Sequence, residues 1–166
     1  MSSSTTITMQ SKITAIILAV LIFLTGTGFI GQPRYEFTER EEELLMLLAD
    51  AEAGNQGVLG EALIMYVVIN RWKHGGYGND IESVIFAEGQ FYTGGMGTTP
   101  SELAKRALYL VEHGWDNSQG ALYFCADGYN GPVPLFKYRD HYFSRKEPIN
   151  NVGCYQQDRL IREEIS

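Results

Sequence analysis

Apolar residues fall along this chain in several distinct patterns, each predicting a different element. From Ile13 to Ile30 runs an eighteen-residue stretch without a charge. After Gln32-Pro33 the pattern becomes periodic. Thr38 and Glu41 have the spacing of a capping box, the run Glu39 to Glu43 is suited to a helix N-terminus, and Leu44, Leu45, Leu47, Leu48 and Ala51 form an apolar face at helical spacing. This helix should end near Ala53, because Gly54, Asn55 and Gly57 follow. Next comes an unbroken apolar run, Ala62 to Ile69; the segment Val58 to Lys73 that contains it is long for a strand and predicts a buried central helix. A short helix is expected over Asp80 to Phe86, capped by Asn79 or Asp80. Residues 88–99 are irregular and rich in glycine.

Thr99-Pro100 then reads as N-cap and first helical residue of a further helix, with Leu103, Ala107, Leu110 and Val111 facing inward and Gly114 as its stop. Past Gly120 the pattern changes. Ala121 to Cys125 and Lys137 to Phe143 read as strands, joined by a loop that contains Pro132 and Pro134. The fold class expected is α+β and mainly helical, with a small sheet, preceded by an N-terminal hydrophobic helix. Three segments follow: 1–32, 33–149, and a polar tail over 150–166.

The first segment is either a secretory signal or an uncleaved membrane anchor. As a helix, residues 13–30 would span about 27 Å, close to the hydrocarbon thickness of a bilayer. The run is longer than the usual signal core, which favours the anchor, although Thr25 and Thr27 loosely resemble a cleavage site. Both readings place the following domain outside the cytoplasm. Charge narrows the partners further. Lys12 is the sole charge among the first thirty residues, so the remainder holds 12 basic and 20 acidic residues, a net of −8. A domain that acidic lacks the basic footprint of a nucleic-acid binder, whereas ten tyrosines, eight phenylalanines and two tryptophans are compatible with stacking on carbohydrate.

Metal and phosphate chemistry find no motif. His74, His113 and His141 are far apart in sequence, with no His-Glu-x-x-His or paired-cysteine spacing, so no metal or other cofactor is expected. Gly94, Gly95 and Gly97 do not lead into the Gly-Lys-Ser/Thr of a phosphate loop. Cys125 and Cys154 are the two cysteines, able to close a disulfide in an exported protein. Cys125 followed by His141 is alternatively the order of a thiol peptidase pair, although no helix start stands behind Cys125 to activate its thiol.

Glu52 is the residue of greatest chemical interest. It lies between Ala51 and Ala53, where an apolar helix meets a polar, glycine-broken loop. Buried there among apolar groups, a carboxyl group is held protonated and can act as a general acid; facing water, it is an ordinary helix-end residue. The local pattern leaves both open.

The stretch Ala51-Glu52-Ala53, then Gly60, then Val67-Val68-Ile69-Asn70-Arg71 resembles the spore-cortex-lytic and cell-wall hydrolase family, in which an Ala-Glu-Ala segment precedes an apolar helix ending in Asn-Arg at the same spacing. The similarity continues through Ile81-Glu82-Ser83-Val84-Ile85, Gly89-Gln90-Phe91, Gly120 to Phe124 and His141-Tyr142-Phe143, covering most of residues 42–143. The resemblance implies a lysozyme-like helical core with a small antiparallel sheet. It also implies cleavage of peptidoglycan glycan strands in the cell wall or spore envelope, by a muramidase or a lytic transglycosylase with Glu52 as general acid and base.

A hydrolase usually needs a second carboxylate about 5–9.5 Å from the first, and a transglycosylase needs one carboxyl only. Asp50, Glu61, Asp80, Glu82 and Glu88 are the candidates considered for a partner, and none stands out, which favours an acid acting alone. The chain departs from the family at Gly54-Asn55-Gln56, where Arg-Gly-Glu is common; Gln56 can bond sugar hydroxyls without ionising. Gln56, Asn70, Gln90, Phe91, Tyr123 and His141 are the expected substrate-binding residues. A non-catalytic peptidoglycan-binding protein and the Cys125/His141 peptidase are the alternatives.

Overall fold

The structure is a computed structural model and describes residues 35–126 and 131–147. The chain divides into two units, Met1–Gln32 and Pro33–Ser166, and every described residue belongs to the second. Residues 13–30, Cys154 and the tail lie outside the described residues. Among the described residues no helix is long and apolar enough to cross a membrane.

Helix α1 (Glu39–Ala53) begins as its sequence predicts. Thr38 Oγ1 accepts from the Glu41 amide at 3.3 Å, and Glu41 Oε2 accepts from the Thr38 amide at 2.9 Å. This reciprocal box satisfies donors that a helix N-terminus otherwise leaves orphaned. Leu44, Leu45, Leu48 and Ala49 turn inward, but Ala51, expected on that face, is exposed.

Helix α2 (Gly57–His74) is the central element, buried continuously from Gly60 to Ile69. It packs against α1 on one side and α4 (Glu102–Glu112) on another. A helix apolar around its circumference must be covered around its circumference. Helix α3 (Ile81–Phe86) is short and capped by Asp80, whose Oδ1 accepts from the Ser83 amide at 2.7 Å.

The start of α4 corrects one expectation. Ser101, not Thr99, is the N-cap, and Pro100 lies outside the helix. The deciding partner comes from α1: Asp50 accepts from the Ser101 amide at 2.7 Å and from its hydroxyl at 2.6 Å, while Ser101 Oγ accepts from the Ala104 amide. With this frame Ala104, Ala107, Leu108 and Val111 face the core; Leu103 is exposed and Leu110 only partly covered.

The sheet is antiparallel in the order β1-β3-β2, with β1 at Tyr123–Cys125, β2 at Phe136–Tyr138 and β3 at His141–Ser144. The single strand expected over Lys137 to Phe143 is therefore a hairpin, turning at Arg139-Asp140, with Arg139 at φ 48°. Phe124 pairs with Phe143 across β1 and β3, and Phe143 stacks on Phe136 at 4.8 Å. These rings join the helical core, so sheet and helices share one interior. Arg71 fastens the two parts. Fully buried near the end of α2, its guanidinium donates to the Leu122 carbonyl at 2.7 Å and the Gln90 carbonyl at 3.2 Å, and lies 4.5 Å from the Phe91 ring centroid.

Candidate active site

Helix α1 ends at Ala53, and three residues carry the chain into α2. The Gly54 amide donates to the Asp50 carbonyl and the Gln56 amide to the Ala53 carbonyl, which folds the link into a tight turn. The next residue, Gly57, sits at φ 72°, a conformation that a side chain rarely adopts. This turn forms one wall of a cavity of about 430 Å³, lined by Asp50, Ala51, Glu52 and the Gly54 to Gln56 link. The facing wall comes from the sheet: Ala126 just past β1, with Asp140 and His141 at the β2–β3 turn.

Glu52 is half-buried in this wall, and its Oε1 accepts from the Tyr92 amide at 3.1 Å. A main-chain donor fixes the carboxyl group without spending a side chain. Tyr92 precedes the short 3₁₀ turn Thr93–Gly95, so the glycine-rich segment that looked irregular in sequence is what positions Glu52.

Gln56, expected to meet sugar hydroxyls, is buried, and both ends of its amide are used within the protein. Nε2 donates to Asn55 Oδ1 at 2.6 Å and to Asp140 Oδ2 at 3.0 Å, while Oε1 accepts from the Asp140 amide at 3.3 Å. Arg139 adds a bond to the Asn55 carbonyl at 3.2 Å. The residue thus locks one cavity wall to the other. His141 also lines the cavity, buried edge-on against Phe124 at 5.4 Å and Phe143 at 6.3 Å.

The remaining expected residues are not among the lining residues. Asn70 donates to Ser118 Oγ and the Ala121 carbonyl, both at 3.0 Å, which ties α2 to the approach to β1. Phe91 is buried under Arg71, and Gln90 offers that arginine its carbonyl. The Tyr123 hydroxyl is 2.8 Å from that of Tyr77, and burial, ahead of this bond, pushes its pKa up to about 12.

Of the candidate partner carboxylates, Glu61, Asp80, Glu82 and Glu88 do not line the cavity. Asp50 lines the cavity but holds Ser101. Asp80 caps α3, Glu82 is exposed 3.5 Å from Arg40, and Glu88 is exposed. Glu61 is fully buried in α2 with neither carboxyl oxygen hydrogen-bonded, and burial, aided by the charge of Asp50, raises its pKa to about 7. Asp140, outside that set, is an exposed carboxylate that lines the same cavity as Glu52 and accepts from Gln56. Its position follows from the hairpin turn that a single-strand reading conceals.

Cys125 is held in a disulfide. A thiol peptidase needs a free thiolate, so the pairing of Cys125 with His141 as nucleophile and base is excluded.

A family profile described as Cell Wall Hydrolase matches residues 55–152, more than half of the 166 residues. The chain belongs to the cell wall hydrolase family. Curated relatives include two spore cortex-lytic enzymes of Bacillus cereus, each 28% identical over 96 residues. The aligned region takes in 53% of this chain and 35% of each relative, so the chain spans about a third of their length. Among solved structures, the catalytic domain of the Bacillus cereus SleB protein superposes with a TM-score of 0.60 at 23% identity, covering 70% of this chain and 98% of that one. The catalytic domain of the germination-specific lytic transglycosylase SleB from Bacillus anthracis gives 0.59 at 23%, covering 65% and 96%. This cell wall hydrolase domain therefore shares the mainly helical fold with a small antiparallel sheet expected from its sequence. Glu52 stands three positions ahead of the matched segment.

Proposed function

We propose that this domain cleaves the glycan strands of peptidoglycan, with Glu52 as general acid and then general base. The observation that carries the reading is the placement of Glu52 in the wall of a 430 Å³ cavity, its carboxyl group fixed by the Tyr92 amide, in a member of the cell wall hydrolase family. A sugar filling that cavity displaces water from the carboxyl group, and loss of water favours the protonated form. Glu52 then donates its proton to the glycosidic oxygen as the bond to the anomeric carbon breaks. The resulting carboxylate next removes a proton from the attacking hydroxyl.

Two attacking groups are possible, and they give different products. If the 6-hydroxyl of the same muramic sugar attacks, one carboxyl group suffices and a 1,6-anhydro end forms. If water attacks, a reducing end forms, heavier by one water. Asp140, which lines the same cavity as Glu52, favours hydrolysis as a second reading, since a second carboxylate at the site can activate a water or steady positive charge at the anomeric carbon.

Residues 1–32, as signal or anchor, deliver residues 33–149 outside the cytoplasm, where wall or spore cortex supplies the glycan. Mass spectrometry of fragments released from purified peptidoglycan tests the reading. Glycan fragments with new anhydro or reducing ends support it. Binding to sacculi with no glycan fragment released would mean that the domain binds peptidoglycan without cutting it.

A further inference from the structure

Ala51 and Glu52 line the cavity, and α1, which carries them, packs against the turn that follows α3. The Tyr92 amide holds Glu52, and a Cβ added at Gly95 would lie 3.9 Å from Ala51 Cβ. The side chain of Tyr92 is arranged unusually on this turn. A Cβ at Gly94 would come within 3.0 Å of Tyr92 Cε2, and one at Gly95 within 2.9 Å of Cε1 and 3.0 Å of Cδ1. These atoms are on opposite edges of the ring, so the ring lies across both glycines, on ground that any side chain would occupy. Tyr92 is nonetheless 48% exposed. Phe91, its neighbour, is 8% exposed and buried under Arg71, so the two aromatics have divided roles: one fills the core and the other is presented to solvent.

An aromatic ring seated on backbone has lost its rotamer freedom before any ligand arrives, so little ordering cost remains on binding. Its open face is apolar and electron-rich. The C–H face of a pyranose ring has the complementary character. We propose that Tyr92 is a stacking platform for one N-acetylated hexosamine ring of the substrate, next to the bond that Glu52 protonates. The platform rests on the glycan-cleaving reading above and adds a sugar subsite to it. Gly94 and Gly95 form its base, and the Tyr92 amide couples its position to that of Glu52.

Binding is separable from cleavage. The probe is a soluble tetramer of N-acetylglucosamine, titrated calorimetrically into the full-length protein carrying Glu52→Gln, so that the probe stays intact. In this background Tyr92→Leu, which keeps apolar bulk but has no flat ring, weakens binding about tenfold. Tyr92→Phe, which keeps the ring and removes the hydroxyl, stays within about twofold. A Tyr92→Leu protein that binds like its parent overturns the platform, as does Tyr92→Phe binding as weakly as Tyr92→Leu, or a parent that does not bind the tetramer. If Glu52→Gln still cuts peptidoglycan, the catalytic reading fails by itself, and a ring-dependent tetramer affinity still establishes the sugar subsite.

Discussion

Gln56 and Asp140, 84 residues apart, bond each other through two separate contacts: the Gln56 amide nitrogen donates to the Asp140 carboxylate at 3.0 Å, and the Asp140 main-chain amide donates to the Gln56 oxygen at 3.3 Å. The pair closes the helical wall of the cavity onto the sheet. Only a side chain carrying both a donor and an acceptor can make both bonds.

Replacing Gln56 tests that closure. Gln56→Ala leaves the Asp140 amide and carboxylate without this partner and is expected to cost about 2 kcal/mol. Gln56→Glu keeps the shape but sets one carboxylate against another, so its loss should be largest above the carboxylate range and recover as the pH falls. Urea unfolding of both variants at neutral and acid pH measures this. Equal stability of Gln56→Glu and wild type at neutral pH would contradict it.

Glu61 makes folding sensitive to pH in the opposite sense from most carboxylates. Its folded pKa of about 7 exceeds its ordinary value of 4.5, because burial disfavours the charged form. The folded state therefore holds the proton more tightly than the unfolded state. The contribution is complete below about pH 4.5 and is lost as the pH rises to about 7, by roughly 3 kcal/mol. Glu61→Gln, neutral throughout, should remove this slope. Unfolding free energies of wild type and variant from pH 4 to 8 should diverge; parallel curves would refute the assignment.

Asp50 connects two of these features. It caps α4 through Ser101 and its charge helps to raise the pKa of Glu61. Ser101→Ala should cost about 1 kcal/mol, the usual worth of an N-cap. Asp50→Asn should weaken the same cap and also lower the folded pKa of Glu61, so that the pH-dependent loss of stability is smaller and ends at a lower pH, an effect Ser101→Ala does not share. Identical pH profiles in the two variants would separate Asp50 from Glu61.

Arg71→Lys should not behave as a conservative change. The guanidinium reaches two carbonyls while lying over an aromatic ring, and a single ammonium cannot reproduce that fork. The expected loss is about 2–3 kcal/mol, read as a lower thermal midpoint, with β1 and the segment near Gln90 cleaved earlier in limited proteolysis.

What was legible in the sequence was local. The capping box of Thr38 and Glu41 joins residues three apart, and the unbroken apolar run of α2 could only be buried. Ser101 is not legible as the cap because Thr99-Pro100 carries an equally good signal and the partner that decides, Asp50, is 51 residues away. The buried face is Ala104, Ala107, Leu108 and Val111 at helical spacing, and it excludes Leu103 although that residue is as apolar as Leu108. The Arg139-Asp140 turn has neither glycine nor asparagine to announce it, so the local pattern reads as one strand and conceals the place of Asp140. Glu52 was legible as a residue, but its surroundings come from Tyr92, Asp140 and His141, which only the fold brings near it.

The most direct test is glycan release from purified peptidoglycan by Glu52→Gln. Glutamine keeps the size of the side chain and an acceptor for the Tyr92 amide, but it has no proton to give the glycosidic oxygen. The account predicts a folded protein whose glycan-cleaving rate falls by at least about a hundredfold, with binding to sacculi retained. Cleavage at a wild-type rate by the folded variant would contradict it.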